Sequence, residues 1–216
     1  MKPGYFIVLE GIDGCGKSTQ LQRLVEWLPS TSLLQPGQAI IATREPGDTA
    51  LGQALRSLLL TKDWADQPLQ PMAELLLYAA DRAQHVEVVL KPNLAAGAVV
   101  ICDRYVDSTL AYQGYGRGLD QTAIAQLNAL ATAGVRSDLT LWLDLPVAIA
   151  AERRQARGQA DRMEAAGLAF QERLRQGFQA IAQAEPDRVV RIDADGDPNQ
   201  VAARIQSVVQ QRWPQS

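Results

Sequence analysis

The 216-residue chain reads as an α/β protein: a five-stranded parallel sheet with helices on both faces. Three observations predict this. Short apolar runs alternate with longer segments of helical periodicity along the chain. The runs are apolar at successive positions, as strands covered on both faces must be. Between the first run and the first helix stands Gly11-Ile12-Asp13-Gly14-Cys15-Gly16-Lys17-Ser18, with the phosphate-loop spacing G-x-x-x-x-G-K-S.

The first strand is expected at Tyr5-Phe6-Ile7-Val8-Leu9 and the first helix at Thr19 to Leu28, where Leu21, Leu24, Val25 and Leu28 share a face. Ala39 to Thr43 predicts strand two, broken by Arg44-Glu45-Pro46-Gly47. Ala50 to Leu60 carries Leu51, Leu55, Leu58 and Leu59 at helical spacing, and the polar segment from Lys62 to Pro71 reads as a loop. Met72 to Leu90 predicts a long helix with Leu75, Leu76, Ala79, Ala83, Val86 and Leu90 inward; Lys91-Pro92 should stop or kink it. Ala98 to Cys102 is strand three. Gly114 to Gly118 reads as a glycine-rich turn between a short helix and one starting near Asp120. Leu139 to Leu143 is strand four, a helix from Val147 runs into an arginine-rich loop, and another spans roughly Leu168 to Ala184. Arg188 to Ile192 is strand five. Asp197-Pro198 then supplies an N-cap and first turn for a last helix with Val201, Ile205, Val208 and Val209 on one face. No linker divides the chain, so residues 1–216 are expected to be one domain.

The net charge of −3 argues against a general nucleic-acid binder. No apolar run approaches the roughly 20 residues that span a bilayer. The N-terminus enters a strand without a signal pattern, and Cys15 and Cys102 do not suggest a disulfide scaffold; a cytoplasmic protein is expected. His85 is the single histidine, which disfavours Cys/His catalysis, and no chemistry is assigned to it.

Phosphate-loop chemistry assigns Lys17 to β/γ-phosphates and the Ser18 hydroxyl to Mg²⁺. Arg44 follows strand two, either aimed above the sheet or solvated in an ordinary turn. Asp103-Arg104-Tyr105 follows strand three: the carboxylate suits a Mg²⁺ water or a substrate hydroxyl, and the arginine suits a phosphate, unless the two form a structural ion pair. Asp144 ends strand four and competes with Asp103 for the Mg²⁺ role. Two arginines at strand ends beside a phosphate loop suggest a second phosphorylated substrate. Arg153, Arg154, Arg157 and Arg162 lie within ten positions, either a solvated basic face or a lid over about 153–163. Residues 12–15 hold no arginine, so a stabilising cation for phosphoryl transfer has to come from elsewhere.

Phe6 to Thr19, Thr43-Arg44-Glu45-Pro46-Gly47, Tyr78-Ala79-Ala80-Asp81-Arg82, Asp103-Arg104-Tyr105, Ser108 to Gly114 and the arginine-rich segment together resemble the thymidylate kinases of the bacterial type, over roughly residues 5–195. The resemblance implies a P-loop nucleoside monophosphate kinase fold and ATP-dependent phosphorylation of dTMP to dTDP with Mg²⁺, on the way to dTTP, in a homodimer packed through helices. It implies ATP at Gly11, Ile12, Asp13, Gly14, Cys15, Gly16, Lys17, Ser18 and Thr19, with Asp13 also on the deoxyribose 3′-hydroxyl. Arg44 and Arg104 would hold the dTMP phosphate, Tyr78 would stack on the base and Arg82 would meet its edge. Ser108, Thr109, Tyr112 and Gln113 would line the pocket, with Tyr112 disfavouring a 2′-hydroxyl. Lys17, Asp103, Arg104, Arg153, Arg157 and Arg162 would act on the transferred group, and Ser18 and Asp103 would hold the metal. Asp48 stands where relatives often have a second glycine, which leaves the turn after Gly47 open. Another monophosphate kinase, for dUMP, UMP or CMP, is the nearest alternative. A GTP-binding switch would need an Asn-Lys-x-Asp motif, which is absent; a non-catalytic nucleotide-binding module would not need Lys17, Ser18, Asp103 and Arg104 together.

Overall fold

A computed structural model describes residues 4–61, 67–158 and 167–214. Five strands, β1 (Tyr5–Glu10), β2 (Ile40–Arg44), β3 (Val99–Asp103), β4 (Leu139–Asp144) and β5 (Val189–Asp193), form one parallel sheet in the order β2-β3-β1-β4-β5. β1 is central, with Leu9 opposite both Asp103 of β3 and Leu141 of β4. Arg44 of β2 in turn lies opposite Asp103. The loops after β1, β2 and β3 therefore open side by side at one edge, where ligands of open α/β sheets bind.

Both faces of the sheet are covered. Ile7 and Leu9 pack into one apolar cluster with Ile101, Leu141 and Phe178; Phe6 and Val8 pack into the other with Val86, Leu90 and Tyr105. The two-residue strand period sends successive side chains to opposite cores, which is why the central run of β1 and β3 is apolar at successive positions.

The helices are α1 (Lys17–Trp27), α2 (Ala50–Leu60), α3 (Pro71–His85), α4 (Lys91–Ala95), α5 (Val106–Thr109), α6 (Gln121–Thr132), α7 (Val147–Arg157), α8 (Leu168–Ala184) and α9 (Pro198–Arg212). Asp197 caps α9 by accepting from Asn199 N, in a full capping box with Gln200.

Two expectations are corrected. Lys91-Pro92 does not end the third helix. A widened π turn, Val86–Leu90, leads directly into α4. Pro92 falls in the first turn of α4, where its missing N–H costs little. Nor is Gly114 to Gly118 a turn. A second π segment, Leu110–Gly116, continues α5 through both buried glycines. A Cβ on Gly116 would come within 2.7 Å of Leu174 and Phe170 of α8, so this glycine serves close helix packing. Leu76, expected inward, is exposed, as are Leu51 and Leu58.

The join between β1, β3 and α5 is made by a carboxyl group. Glu10 is fully buried; its Oε1 accepts from the N–H groups of Tyr105 and Ser108 at 2.8 and 3.0 Å, and its Oε2 accepts from the Ser108 hydroxyl at 2.6 Å. Burial, helped by the negative charge of Asp107, pushes the Glu10 carboxyl up to about 7. A raised acid pKa contributes stability that is fully present below the unfolded pKa near 4.5 and lost as pH rises through about 7. This group alone should remove roughly 3 kcal/mol of unfolding free energy over that window. Glu10→Gln is expected to flatten the fall in stability between pH 5 and 8, as read by chemical denaturation. The same slope in both proteins would refute the assignment.

Candidate active site

The loop after β1 wraps over the start of α1. Gly16 sits before the helix with φ 102° and offers no side-chain cap, so the first N–H groups of α1 are available to an anion. Gly14, at φ 90°, passes under α7. A Cβ there would lie 2.6 Å from Ala150 O and 3.2 Å from the Arg154 side chain, which only glycine allows. Lys17 is buried, and its Nζ donates to the loop carbonyls of Gly11 and Ile12 at 3.0 and 3.1 Å. The Ile12 and Cys15 side chains pack into the core, with Cys15 Sγ also 3.9 Å from Lys17 Nζ. Ser18 and Thr19 are exposed at its mouth.

Ser18 Oγ donates to Asp103 Oδ2 at 2.8 Å, while Asp103 Oδ1 is buried without a hydrogen-bond partner. An orphaned carboxylate oxygen beside a helix-start hydroxyl is the donor pair that a hard divalent cation takes. Asp144 does not compete. It pairs with Arg175 and Arg191 on the far side of β4, and although burial opposes its charge, these hydrogen bonds hold its carboxyl low.

Arg104 joins this loop to the next subsite. It adopts a left-handed backbone, φ 77°, and donates to Gly11 O, Ser108 Oγ, Tyr112 Oη and the Asp13 carboxylate. Asp13 also accepts from the Tyr112 hydroxyl at 2.9 Å. Burial works against the Asp13 charge, but Arg104 and Lys17 outweigh it and hold the carboxyl well below the usual range.

Beyond Arg104 opens a cavity of about 550 Å³. Eight of the expected acceptor residues line it: Asp13, Tyr78, Arg82, Arg104, Ser108, Thr109, Tyr112 and Gln113. Tyr112 and Gln113 lie on the widened turn Leu110–Gly116. The amide nitrogen of Gln113 is committed to buried Glu74 at 2.9 Å. Arg44 lies not here but in an adjoining cleft of about 1,720 Å³ that also holds the phosphate loop. Asp13, Glu45, Arg56 and Arg104 line both spaces and mark where they meet. Asp48 is exposed and lines neither; the turn holds with Gly47 N donating to Asp81 Oδ1 at 3.2 Å.

One arginine escaped the sequence reading, and another, Arg154, was read only as a member of the arginine cluster. Arg56 of α2 donates to Pro46 O at 2.9 Å, and burial followed by the like charges of Arg44 and Arg104 lowers its pKa. Its only signal was a charge among Leu55, Leu59 and Leu60. Arg154 of α7 donates to Asp13 O at 2.6 Å, tying that helix to the phosphate loop. Arg153 stands at the cleft wall, 3.5 Å from the carbonyls of Ala194 and Gly196. Arg162 and the Arg157 side chain, with positions 159–163 of the expected lid, lie outside the described residues.

The fold carries a cleft with a phosphate loop that meets a second pocket at an arginine, and comparison with known proteins identifies its family. The family model for thymidylate kinase matches residues 9–205. The chain is 58% identical over 209 residues to the thymidylate kinase of Synechococcus sp. (strain JA-2-3B'a(2-13)), covering 97% of this chain and 96% of that protein. It is 56% identical over 208 residues to that of Synechococcus sp. (strain RCC307), covering 96% of each. The crystal structure of thymidylate kinase from Ehrlichia chaffeensis superposes with a TM-score of 0.77 at 34% identity, over 97% of this chain and all of that one. With the fold, the phosphate loop and nearly the whole sequence in agreement, the chain belongs to the thymidylate kinase family.

Proposed function

We propose that the chain moves the γ-phosphoryl group of ATP onto the phosphate of dTMP, giving ADP and dTDP, and that residues 1–216 act as one kinase domain. One observation carries the two-substrate reading. Arg44, Arg56 and Arg104 all line the cleft that holds the phosphate loop, where burial first and the charges of Arg44 and Arg104 next lower the pKa of Arg56. Like charges held together in a partly buried site favour an anion between them. Lys17 already serves the donor loop, so this second anion is read as the acceptor phosphate.

In this reading Lys17 exchanges the Gly11 and Ile12 carbonyls for donor phosphate oxygens. Arg44, Arg56 and Arg104 aim the acceptor phosphate in line with the γ-phosphorus. A phosphate oxygen needs no general base, so the protein's work is positioning and charge stabilisation. Asp13 keeps lone pairs for the 3′-hydroxyl while it holds Arg104. Tyr78 covers the base, Arg82 meets its edge, and Tyr112 sits against the sugar, where it disfavours a 2′-hydroxyl. Ser18 and Asp103 would hold Mg²⁺, which supplies charge neutralisation on the β- and γ-phosphates when bound. Arg153, Arg157 and Arg162 are read as the cations that residues 12–15 lack, supported by the position of Arg153 on the cleft wall.

A homodimer is also proposed. Met72, Leu76 and Val88 are exposed along α3 and its continuation, and Leu51 and Leu58 are exposed on adjacent α2. An apolar stripe on two packed helices suits a self-complementary contact with a second copy. The free thiols of Cys15 and Cys102 fit a cytoplasmic setting. Among the described residues, no helix is long and apolar enough to cross a membrane.

ADP release measured with dTMP, dUMP, UMP and CMP should be fastest with dTMP; faster turnover of UMP or CMP would overturn the substrate assignment. Arg56→Ala should raise the dTMP KM at least tenfold, through loss of a charge-assisted contact of about 1.5–3 kcal/mol, with the ATP KM changing little. Lys17→Ala should instead lower kcat by about two orders of magnitude or more. An unchanged dTMP KM in the first variant, or normal turnover in the second, would contradict these roles. Light scattering should give twice the chain mass for the native protein and a single chain mass for Leu76→Arg; a monomeric native protein would refute the contact.

A further inference from the structure

We propose that His85 is a positioning residue for the acceptor base, fixing the carboxylate of Glu45 and through it the plane of Arg82. The inference rests on the reading of Arg82 as the group that meets the base edge.

Arg82 is almost wholly buried, and its guanidinium has five N–H donors in one plane. Among the described residues four are taken. Nε donates to Glu45 Oε2 at 2.8 Å, Nη1 to Thr109 Oγ1 at 2.8 Å and Asn128 Oδ1 at 2.7 Å, and Nη2 to Tyr105 O at 3.0 Å. One Nη2 hydrogen is left for a ligand. Its direction is only as well defined as the plane, and a plane is fixed by holding both Nε and Nη1.

Glu45 is the partner of Nε. Its other oxygen, Oε1, meets His85 Nδ1 at 2.8 Å, and His85 Nε2 meets Thr43 Oγ1 at 2.6 Å. A carboxylate facing an arginine accepts only, so Nδ1 donates to Glu45, while Nε2 is hydrogen-bonded to the Thr43 hydroxyl. His85, Glu45 and Thr43 are 1%, 4% and 5% exposed, so water does not substitute for these contacts. Arg82 and His85 lie one turn apart on α3 and converge on the same carboxylate, closing a ring across to the loop after β2. His85 does not line the acceptor cavity, whereas Glu45 and Arg82 do. Its effect on the ligand therefore runs through Glu45.

The consequence is selectivity. Thymine presents a carbonyl acceptor where cytosine presents an amino donor. A fixed Nη2–H donates to the first and repels the second. If Glu45 is released on one side, Arg82 can turn about its last bonds and the distinction weakens.

The test is steady-state kinetics of the full chain with ATP, dTMP and dCMP for His85→Gln, His85→Phe, His85→Asn and Arg82→Met, each with a thermal melt. His85→Phe removes both contacts, and His85→Gln keeps a polar group only near Nε2. Both should raise the dTMP KM by about tenfold, the loss of one charge-assisted hydrogen bond, and shrink the preference for dTMP over dCMP. The ATP KM should move by less than about twofold. His85→Asn, which restores a donor near Nδ1, should recover most of the loss. Should the larger changes prevent folding, near-isosteric Thr43→Val should shift the dTMP KM in the same direction by about threefold. Variants with a lowered melting temperature but native dTMP KM and native dTMP-to-dCMP ratio would overturn the proposal and leave His85 a packing residue. If Arg82→Met also left both quantities unchanged, the reading of Arg82 itself would fall, and the relay with it.

Discussion

The site depends on one half-buried ion pair, Asp13 with Arg104, which ties the loop after β1 to the end of β3. Neither partner is cheap to hold. Partial withdrawal of two charges from water opposes the pair before their attraction is counted. Arg104 also sits in a left-handed backbone that costs a non-glycine residue roughly 1–2 kcal/mol. The surroundings offset this by satisfying the pair almost completely: Gly11 O, Ser108 Oγ and Tyr112 Oη take guanidinium donors, and Lys17 and the Tyr112 hydroxyl approach the carboxylate. Such a pair does little for net stability. It fixes geometry, because any displacement of one partner leaves the other buried and unpaired.

The other polar elements extend outward from that pair. Glu10 holds Ser108, which accepts from Arg104. Arg154 holds the backbone of Asp13 from α7, so donor loop, acceptor cavity and the arginine-rich helix share one residue. Behind the cavity, Arg82 with Glu45 and His85 forms a second buried network, and Glu74 with Gln113 and Arg117 a third. The arginines divide accordingly. Arg82 and Arg104 have most donors committed to protein and act from fixed positions. Arg56 remains at the junction of the two spaces and Arg44 in the cleft beside it, where an anion can lie between them.

Most of the fold was legible in the sequence, because strands buried on both faces cannot hide. β1 through β5 fell within a residue of their predicted spans, and α2 and α8 matched at both ends. The failures share a cause. Gly114, Gly116 and Pro92 were read by local propensity as breakers, while their roles come from neighbours: α8 packs against Gly116, and a π turn lets Pro92 fall in a first turn. Leu51, Leu58 and Leu76 have the spacing of a buried face, and periodicity alone does not say whether a helix has one covered face or two.

The sequence by itself determined the parallel sheet and the phosphate loop with Lys17 and Ser18, since spacing and residue type carry that information along the chain; the grouping of Asp13, Arg104 and Tyr112 in one site came from the resemblance to the thymidylate kinases. Only the tertiary structure decided which polar groups meet: Asp103 rather than Asp144 beside Ser18, Arg56 beside Arg44, Arg154 on Asp13, His85 on Glu45. Each of these joins residues whose side-chain directions follow from how helices dock on the sheet, and that docking is set by packing across the whole core rather than by any local pattern.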